Sequence, residues 1–292
     1  MRTDTEKHPG KSQIRIMTYN IRSCVDMSGR VAPEATADAI RLLNPDVVAL
    51  QEVDDGIPQT GRLDQAHYLS RRLGMEFSFC PTVLHPIGRY GLAVLSRYRM
   101  ELTRCGRLPV LRPLRLQQRG AVHAVVHSPV GRFHLFNTHL SLLGAERLLQ
   151  IRQLTGARWL GSVSHEEPII FCGDLNSIPG LPVYRRLATR LIDVQTAGKT
   201  SQVRARPTFS SQRPRLRLDY IFVSPGFQVI GAEVPAHEPY RIVSDHLPLC
   251  ADLRLRTDGK DPAKPGVFKS VPSPGNPARD RGGLNTDGRL EK

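Results

Sequence analysis

Apolar residues recur along the chain at two spacings, and the alternation of the two marks out its elements. Ile14 to Ile21 alternates apolar and polar positions with β-branched content, which predicts a strand. Pro33 to Leu43 follows, with proline at a helix start and Ala37, Ile40 and Leu43 three apart, which predicts a helix. Asp46 to Leu50 is a short apolar run delivering Gln51 and Glu52 at its end, as a buried strand does. The pattern continues with a helix over Leu63 to Leu73, strands at Leu92 to Leu95, Gly120 to His127 and Phe133 to Thr138, and a helix over Gly144 to Leu160. A strand at Ile169 to Cys172 and a short helix after Pro182 come next, then strands at Tyr220 to Val223, Phe227 to Val234 and Leu247 to Leu253.

Such numerous and irregularly spaced strands do not suit a simple β-α-β barrel; two packed sheets flanked by helices fit better. No repeat at a solenoid period is present, and no apolar run approaches the roughly 18 to 20 residues of a membrane-spanning helix. Residues 257–292 carry five prolines and six glycines with hardly any apolar periodicity, which predicts a disordered tail. The first twelve residues are polar, lack the apolar core of a secretory signal and are expected to be loose. One catalytic-sized domain over 13–256, acting as a monomer in the cytoplasm, is the expectation.

Charge narrows the set of partners. Forty-one Lys and Arg stand against twenty-seven Asp and Glu, a net charge of +14, of which only +2 lies in the tail. A cationic body attracts polyanions such as nucleic acid, phosphorylated headgroups or an anionic membrane. A bias toward arginine with no partner behind it is the plainer explanation, since only seven of the basic residues are lysine. The five cysteines, Cys24, Cys80, Cys105, Cys172 and Cys250, are odd in number, sit mostly in apolar stretches and form no CxxC pair. They are expected to be free buried thiols of a reducing compartment.

Candidate chemistry collects where predicted strands end. Asn20 closes the first strand and Glu52 the second; Asn137 and His139 end FHLFNTHL; Asp174 and Asn176 lie in GDLN after IIFC; Asp219 opens LDYIF; Asp245 and His246 form SDHLP before the last strand. Taken singly, each is an ordinary turn former or structural histidine. Together they supply oxygen ligands for a hard cation, a base for water, and donors for phosphoryl oxygens, which is what attack on a phosphodiester requires.

The ordered series TYNI, LQEV, GLAVLSR, NTHL, GDLNSIP, TF, LDYIF and SDHLP resembles the endonuclease/exonuclease/phosphatase superfamily of divalent-metal phosphohydrolases, over Ile14 to Leu253. The resemblance implies a four-layer α/β/β/α sandwich with the site at one edge. It also implies Glu52 as the principal ligand of Mg2+, with Mn2+ able to replace it, Asn20 beside it, and Asp245 recruited by any second metal. His246 would be base or water-orienting group, its tautomer fixed by Asp245 or Asp219, and Asp174 would position or deprotonate the water. Asn176 and His139 would donate to phosphoryl oxygens. Arg119 and Tyr90, with Asn137, are the candidate substrate contacts, each with a structural alternative: a surface ion pair for Arg119, packing against the sheet edge for Tyr90. The series Arg204, Arg206, Arg213, Arg215 and Arg217 is either a grip on a polyanion or a solvated basic loop. Trp159 is expected in the core.

The stretches Ile21-Arg22-Ser23 and Leu216-Arg217-Leu218 depart from the abasic-site repair branch, whereas GDLNSIPG and SDHLPL resemble the branch of deoxyribonuclease-like, sphingomyelinase-like and nucleotide-removing members. The expected function is a Mg2+-dependent phosphodiesterase acting on nucleic acid. The alternatives are a phospholipid or phosphoinositide headgroup hydrolase, disfavoured by the lack of Trp- and Phe-rich loops, and a catalytically idle binding module, disfavoured by the completeness of the residue set.

Overall fold

In the computed structural model the described residues are 12–111, 117–197 and 205–256. The expected loose N-terminus, the expected tail and Arg204 therefore lie outside the described residues, apart from residue 12.

Twelve strands form two six-stranded sheets. The first contains β1 (Ile14–Asn20), β2 (Val47–Asp55), β3 (Glu76–Leu84), β4 (Arg89–Ser96), β11 (Phe227–Glu233) and β12 (Leu249–Leu255), in the order β11-β12-β1-β2-β4-β3. The second contains β5 (Met100–Arg107), β6 (Gly120–Ser128), β7 (Gly131–His139), β8 (Ile169–Asp174), β9 (Ile192–Asp193) and β10 (Asp219–Val223), in the order β5-β6-β7-β8-β10-β9. β1 pairs with β2, and β7 with β8, in parallel; the remaining pairs are antiparallel. Helices α1 (Pro33–Leu43), α2 (Gln65–Leu73), α3 (Gly144–Leu154), α4 (Pro182–Ala188) and the single turn α5 (Tyr240–Val243) flank them. The expected two-sheet sandwich with outer helices is the observed fold.

Period-two alternation explains the layering. On the second sheet Phe133, Leu135, Ile170, Cys172, Ile221 and Val223 face inward and join the core of the first sheet. Their neighbours Phe136, Ile169, Phe171, Tyr220 and Phe222 face outward, where Ile151 and Leu154 of α3 and Val183 and Leu187 of α4 cover them. Each such fully buried side chain contributes roughly 1.5–3 kcal/mol. The first sheet shares its core with Ala37, Ile40 and Leu43 of α1 and with Leu69 of α2. α1 begins with proline in its first turn and ends at Asn44, whose φ of 48° reverses the chain. Asp64 caps α2 by accepting a hydrogen bond from the His67 amide, which sets that helix two residues later than its apolar pattern suggests. The α3 helix stops at Leu154, short of the expected Leu160, and Trp159 is buried as expected.

Two strands carry no clear period in the sequence, and both are sheet edges. β3 contains Pro81, tolerated because an edge strand has unpaired amides, and β5 is almost wholly exposed. These edges also overturn the expectation of free thiols throughout. Cys80 of β3 and Cys105 of β5 form a disulfide, with Cα atoms 5.6 Å apart, that joins one sheet to the other; Cys24, Cys172 and Cys250 are free and buried. The pairing is invisible in a linear pattern because the two strands belong to different sheets. A structural disulfide is at home in oxidising surroundings, so the cysteines lend no support to a cytoplasmic setting. Its contribution is testable: with the cysteines 25 positions apart, reduction or the Cys80→Ala/Cys105→Ala variant should lower the free energy of unfolding by about 3 kcal/mol, read from denaturant midpoints with and without dithiothreitol.

Candidate active site

The inward rows of the second sheet turn polar at one common end. β7 runs Phe133, Leu135, Asn137, His139; β8 runs Ile170, Cys172, Asp174; antiparallel β10 runs Val223, Ile221, Asp219. Strand register sets His139 opposite Asp174 and Asp174 opposite Asp219, so three ionisable groups share one rung. Gly173 makes the rung possible: its φ is +133°, and a Cβ there would lie 1.9 Å from the Thr138 carbonyl oxygen.

The first sheet meets this rung from across the sandwich. Asn20 ends β1, which faces β8. In β2 the pairing with β4 shifts between Leu50 and Val53, and Glu52 takes a φ of +57°, a conformation a non-glycine residue rarely adopts. The bulge lets consecutive residues serve different ends. Gln51 Nε2 crosses between the sheets to Asn137 Oδ1 at 2.7 Å, while Glu52 Oε1 accepts from Asn20 Nδ2 at 2.9 Å. Asn20 Nδ2 also donates to Asp174 Oδ2 at 3.2 Å, which ties the two sheets together at the site.

Asp174 Oδ2 is the hub. His139 Nε2 lies 3.3 Å from it and His246 Nε2 lies 3.7 Å from it. His246 Nδ1 lies 2.8 Å from Asp219 Oδ2, and the His246 ring packs against Phe209 with centroids 4.9 Å apart. The tautomer of His139 follows from its neighbours: Arg119 Nη1, which can only donate, sits 3.0 Å from Nδ1, so the ring is neutral with its proton on Nε2, directed at Asp174. Asn176, at φ +46°, follows an Asx turn in which its amide donates to Asp174 Oδ1 at 2.9 Å. Its Nδ2 donates to Leu140 O at 2.9 Å and lies 3.1 Å from His139 Nε2.

Burial and charge separate the protonation of these groups. Burial, then the positive field of Arg119, pushes His139 well below its ordinary value. Burial raises Asp174 to about 7, against the opposing pull of His246 and the hydrogen bonds from Asn176 and Asn20. For His246, burial alone lowers the value, but Asp219, Asp174 and Asp245 outweigh it and raise it to about 10.

The donor set suits a hard cation. The carboxylates of Asp174 and Asp219 lie within 4.8 Å of each other and of a His246 ring nitrogen, and Asp219 Oδ1 is buried without a hydrogen-bond partner. Glu52 adds a carboxylate alongside, while Asn20 turns its amide nitrogen to Glu52 and Asp174 and its Oδ1 accepts from the Arg22 amide at 3.1 Å. Oxygen-rich donor sets of this kind suit hard divalent cations.

A profile of the Endonuclease/Exonuclease/phosphatase family matches residues 17–246, which span the whole constellation from β1 to His246. The chain belongs to this family. Its members are hydrolases that act on phosphoesters. An uncharacterised protein of Escherichia coli K12, YbhP, is 31% identical over 257 residues, covering 82% of this chain and 96% of its own length. The crystal structure of an endonuclease/exonuclease/phosphatase from Beutenbergia cavernae superposes with a TM-score of 0.65 at 26% identity, over 84% of this chain and 72% of that one. The human nocturnin catalytic domain, solved with a bound sulfate, shares the fold with a TM-score of 0.63 at 24% identity, over 84% and 94% of the two chains.

Within this family site, Asn20, Glu52, His139, Asp174, Asn176, Asp219, His246 and Arg119 form one connected network. Tyr90 joins it, buried between Glu52 and Arg119, with burial raising its phenol. Asp245 sits at the rim, 3.9 Å from Arg22 Nε. Asn137 is placed apart: fully buried, it donates to Leu50 O and Ala93 O and accepts from Gln51, so its amide holds the sheets together beneath the site. Arg217 turns from its loop into the core, pairing with buried Asp193 at 2.6 Å. Sequence reasoning missed the groups that carry the loops. Ser244 Oγ donates to Asn20 O and accepts from the His246 amide; Thr208 Oγ1 accepts from the Asp219 amide; Tyr220 OH lies within hydrogen-bond reach of Ser177 O and Arg217 O. Thr208 and Ser244 lie inside the motifs TF and SDHLP, which is their one signal.

The two shifted groups have separable effects on stability. Asp174 lies above its ordinary 3.8, so keeping it ionised costs stability progressively from pH 3.8 to about 7 and no further. His246 also lies above its ordinary 6.5, so the stability lent by its imidazolium is complete below pH 6.5 and is lost as pH rises through about 10. In chelator, the unfolding midpoint should therefore fall between pH 7 and 10, and Asp219→Asn should flatten that fall; equal slopes would detach His246 from Asp219.

Proposed function

We propose that this chain is a divalent-metal-dependent phosphodiesterase that hydrolyses nucleic acid. The observation that carries the proposal is the junction at Asp174 Oδ2, where the Asn20 amide of the first sheet, His139 of the second and His246 from the loop before β12 converge beside the partnerless Asp219 Oδ1. Glu52 would hold the cation, with Asn20 beside it and Asp245 recruited by a second. Bound there, a cation would supply neutralisation of charge on the phosphoryl oxygens and polarisation of the P–O bond.

The chain's own residues divide the remaining work. Asp174 orients the attacking water and takes its proton on Oδ2; burial raises its carboxyl, and a cation bound beside it would pull it back down. His246 keeps its proton under the field of Asp219 and presents Nε2–H to a phosphoryl oxygen. Asn176 and the neutral His139 add donors whose positions are fixed by Leu140 O and Arg119. Tyr90 and Arg119 line the same wall. The net charge of +14 favours a polyanionic substrate over a neutral or zwitterionic one.

A second substrate reading has an observation of its own. Leu142 is 73% exposed on the loop after β7, and Ile178 and Leu181 are exposed on the loop after β8, so apolar side chains flank His139 and Asn176. These would suit a phospholipid headgroup presented at a surface. Hydrolysis of plasmid DNA, single-stranded DNA, RNA, sphingomyelin and inositol phosphates side by side with Mg2+ decides between the two: turnover confined to the lipid would reject the nucleic-acid assignment.

Two outcomes test the chemistry. Glu52→Gln and Asp174→Asn should each lower kcat by about 10³-fold or more while the unfolding midpoint stays near wild type, measured on whichever substrate is turned over. EDTA should abolish turnover and excess Mg2+ or Mn2+ should restore it, whereas an undiminished rate in chelator removes the cation from the scheme.

A further inference from the structure

A groove of about 580 Å³ lies on the outer layer of the second sheet, and none of its lining residues belongs to the site described above. Its walls are Thr155 and Leu160, which follow α3, and Pro182, Arg185, Arg186, Thr189 and Arg190, from α4 and the turn after it. Three guanidinium groups thus border one depression, and among the described residues none of the three forms an ion pair with a carboxylate. Arg190 is held in place by donating to the carbonyl oxygens of Leu160 and Val163, both at 2.8 Å, and burial without a compensating anion lowers its value. Arg186 is oriented by its Nε–H, which donates to Thr155 Oγ1 at 2.6 Å, leaving both terminal nitrogens for another acceptor. Arg185 is exposed at the rim.

Like charges gathered around a concave surface repel one another unless an anion joins them, and planar guanidinium forks match phosphate oxygens. The volume exceeds what a lone inorganic ion fills and lies within the range of small-ligand pockets. Among the lining residues Pro182 is apolar and exposed, a surface against which a sugar or base can lie. We propose that this groove is an accessory site for a phosphate-bearing nucleotide unit of a nucleic-acid strand. The strand is gripped here, apart from the hydrolytic centre, so the groove raises affinity for long substrates and leaves the chemical step alone. The proposal rests on the nucleic-acid reading of the active site, extending it to a second point of contact.

Fluorescence anisotropy with a labelled single strand of about 20 nucleotides, in EDTA so that nothing is cut, tests the groove. Arg185→Ala/Arg186→Ala should weaken binding about tenfold in low salt and lower the slope of log affinity against log salt by about 1.4, two phosphate contacts at roughly 0.7 each. Arg185→Glu/Arg186→Glu should weaken binding further, and Arg185→Lys/Arg186→Lys should retain most of it. Turnover of bis(p-nitrophenyl) phosphate should stay at the wild-type rate in all three, with circular dichroism unchanged. Unaltered affinity and salt slope in both the alanine and the glutamate variants would overturn the proposal. So would loss of binding to phosphatidylglycerol vesicles with strand binding intact, which would make the groove a lipid-facing one. A wild-type protein inert toward the chromogenic diester, yet losing strand affinity in the alanine variant, would sink the catalytic reading and uphold the groove.

Discussion

The side-chain amide of Asn20 is where the two sheets meet chemically, donating to Glu52 in its own sheet and to Asp174 in the other. Both acceptors are carboxylates near one another in a site almost closed to solvent, and such a pair repels strongly unless something positive or hydrogen-donating stands between them. The separation of the sheets, fixed by the apolar layer beneath, sets how close the carboxylates come. Gln51 and Asn137 continue the same cross-sheet bonding one step deeper, where no chemistry takes place. The site is thus the polar margin of a core, and its spacing is inherited from the packing of Leu135, Ile170 and Ile221.

Electrostatics then give similar residue types opposite characters. Two histidines lie on either side of one aspartate: His139, against Arg119, is neutral, whereas His246, against Asp219, is charged. Neither ring differs chemically from the other; what differs is the sign of the neighbour reached by Nδ1. Asp174 and Asp219 differ in their contacts as well: Asp174 is raised chiefly by burial although Asn20 and Asn176 donate to it, whereas Asp219 meets His246 Nδ1 through one oxygen and leaves the other without a partner.

Much of this was legible in the chain. Alternation located the inner strands, and the polar residues that end them proved to share one rung because period two keeps Asp174 on the face of Ile170 and Cys172. What escaped has physical causes. Edge strands β3 and β5 bury too little for a period to show, and Pro81 argues against a strand except at an edge. The Cys80–Cys105 bond depends on how two sheets stack, which no local pattern encodes. Asn137 sits at the right distance from His139 in sequence to look like a ligand-facing group, yet the inward row of β7 passes through the closed core before it reaches the opening. The supports at Ser244 and Thr208 are common residue types in loops, and Tyr220 reads from the sequence as one more apolar position of β10.

The position of β12 in the first sheet, between β11 and β1, carries a consequence for how the molecule is made. Ile14 pairs with Leu253, and His246 arrives only just before that strand. On the ribosome, β1 must wait beside an unfilled place until nearly the whole domain has been translated, with its apolar row open to unwanted association. A nascent chain that stops short of this segment lacks both the imidazole and the strand that seals β1. The imidazole of His246 and the strand that closes β1 are therefore acquired together, when the last part of the domain is translated.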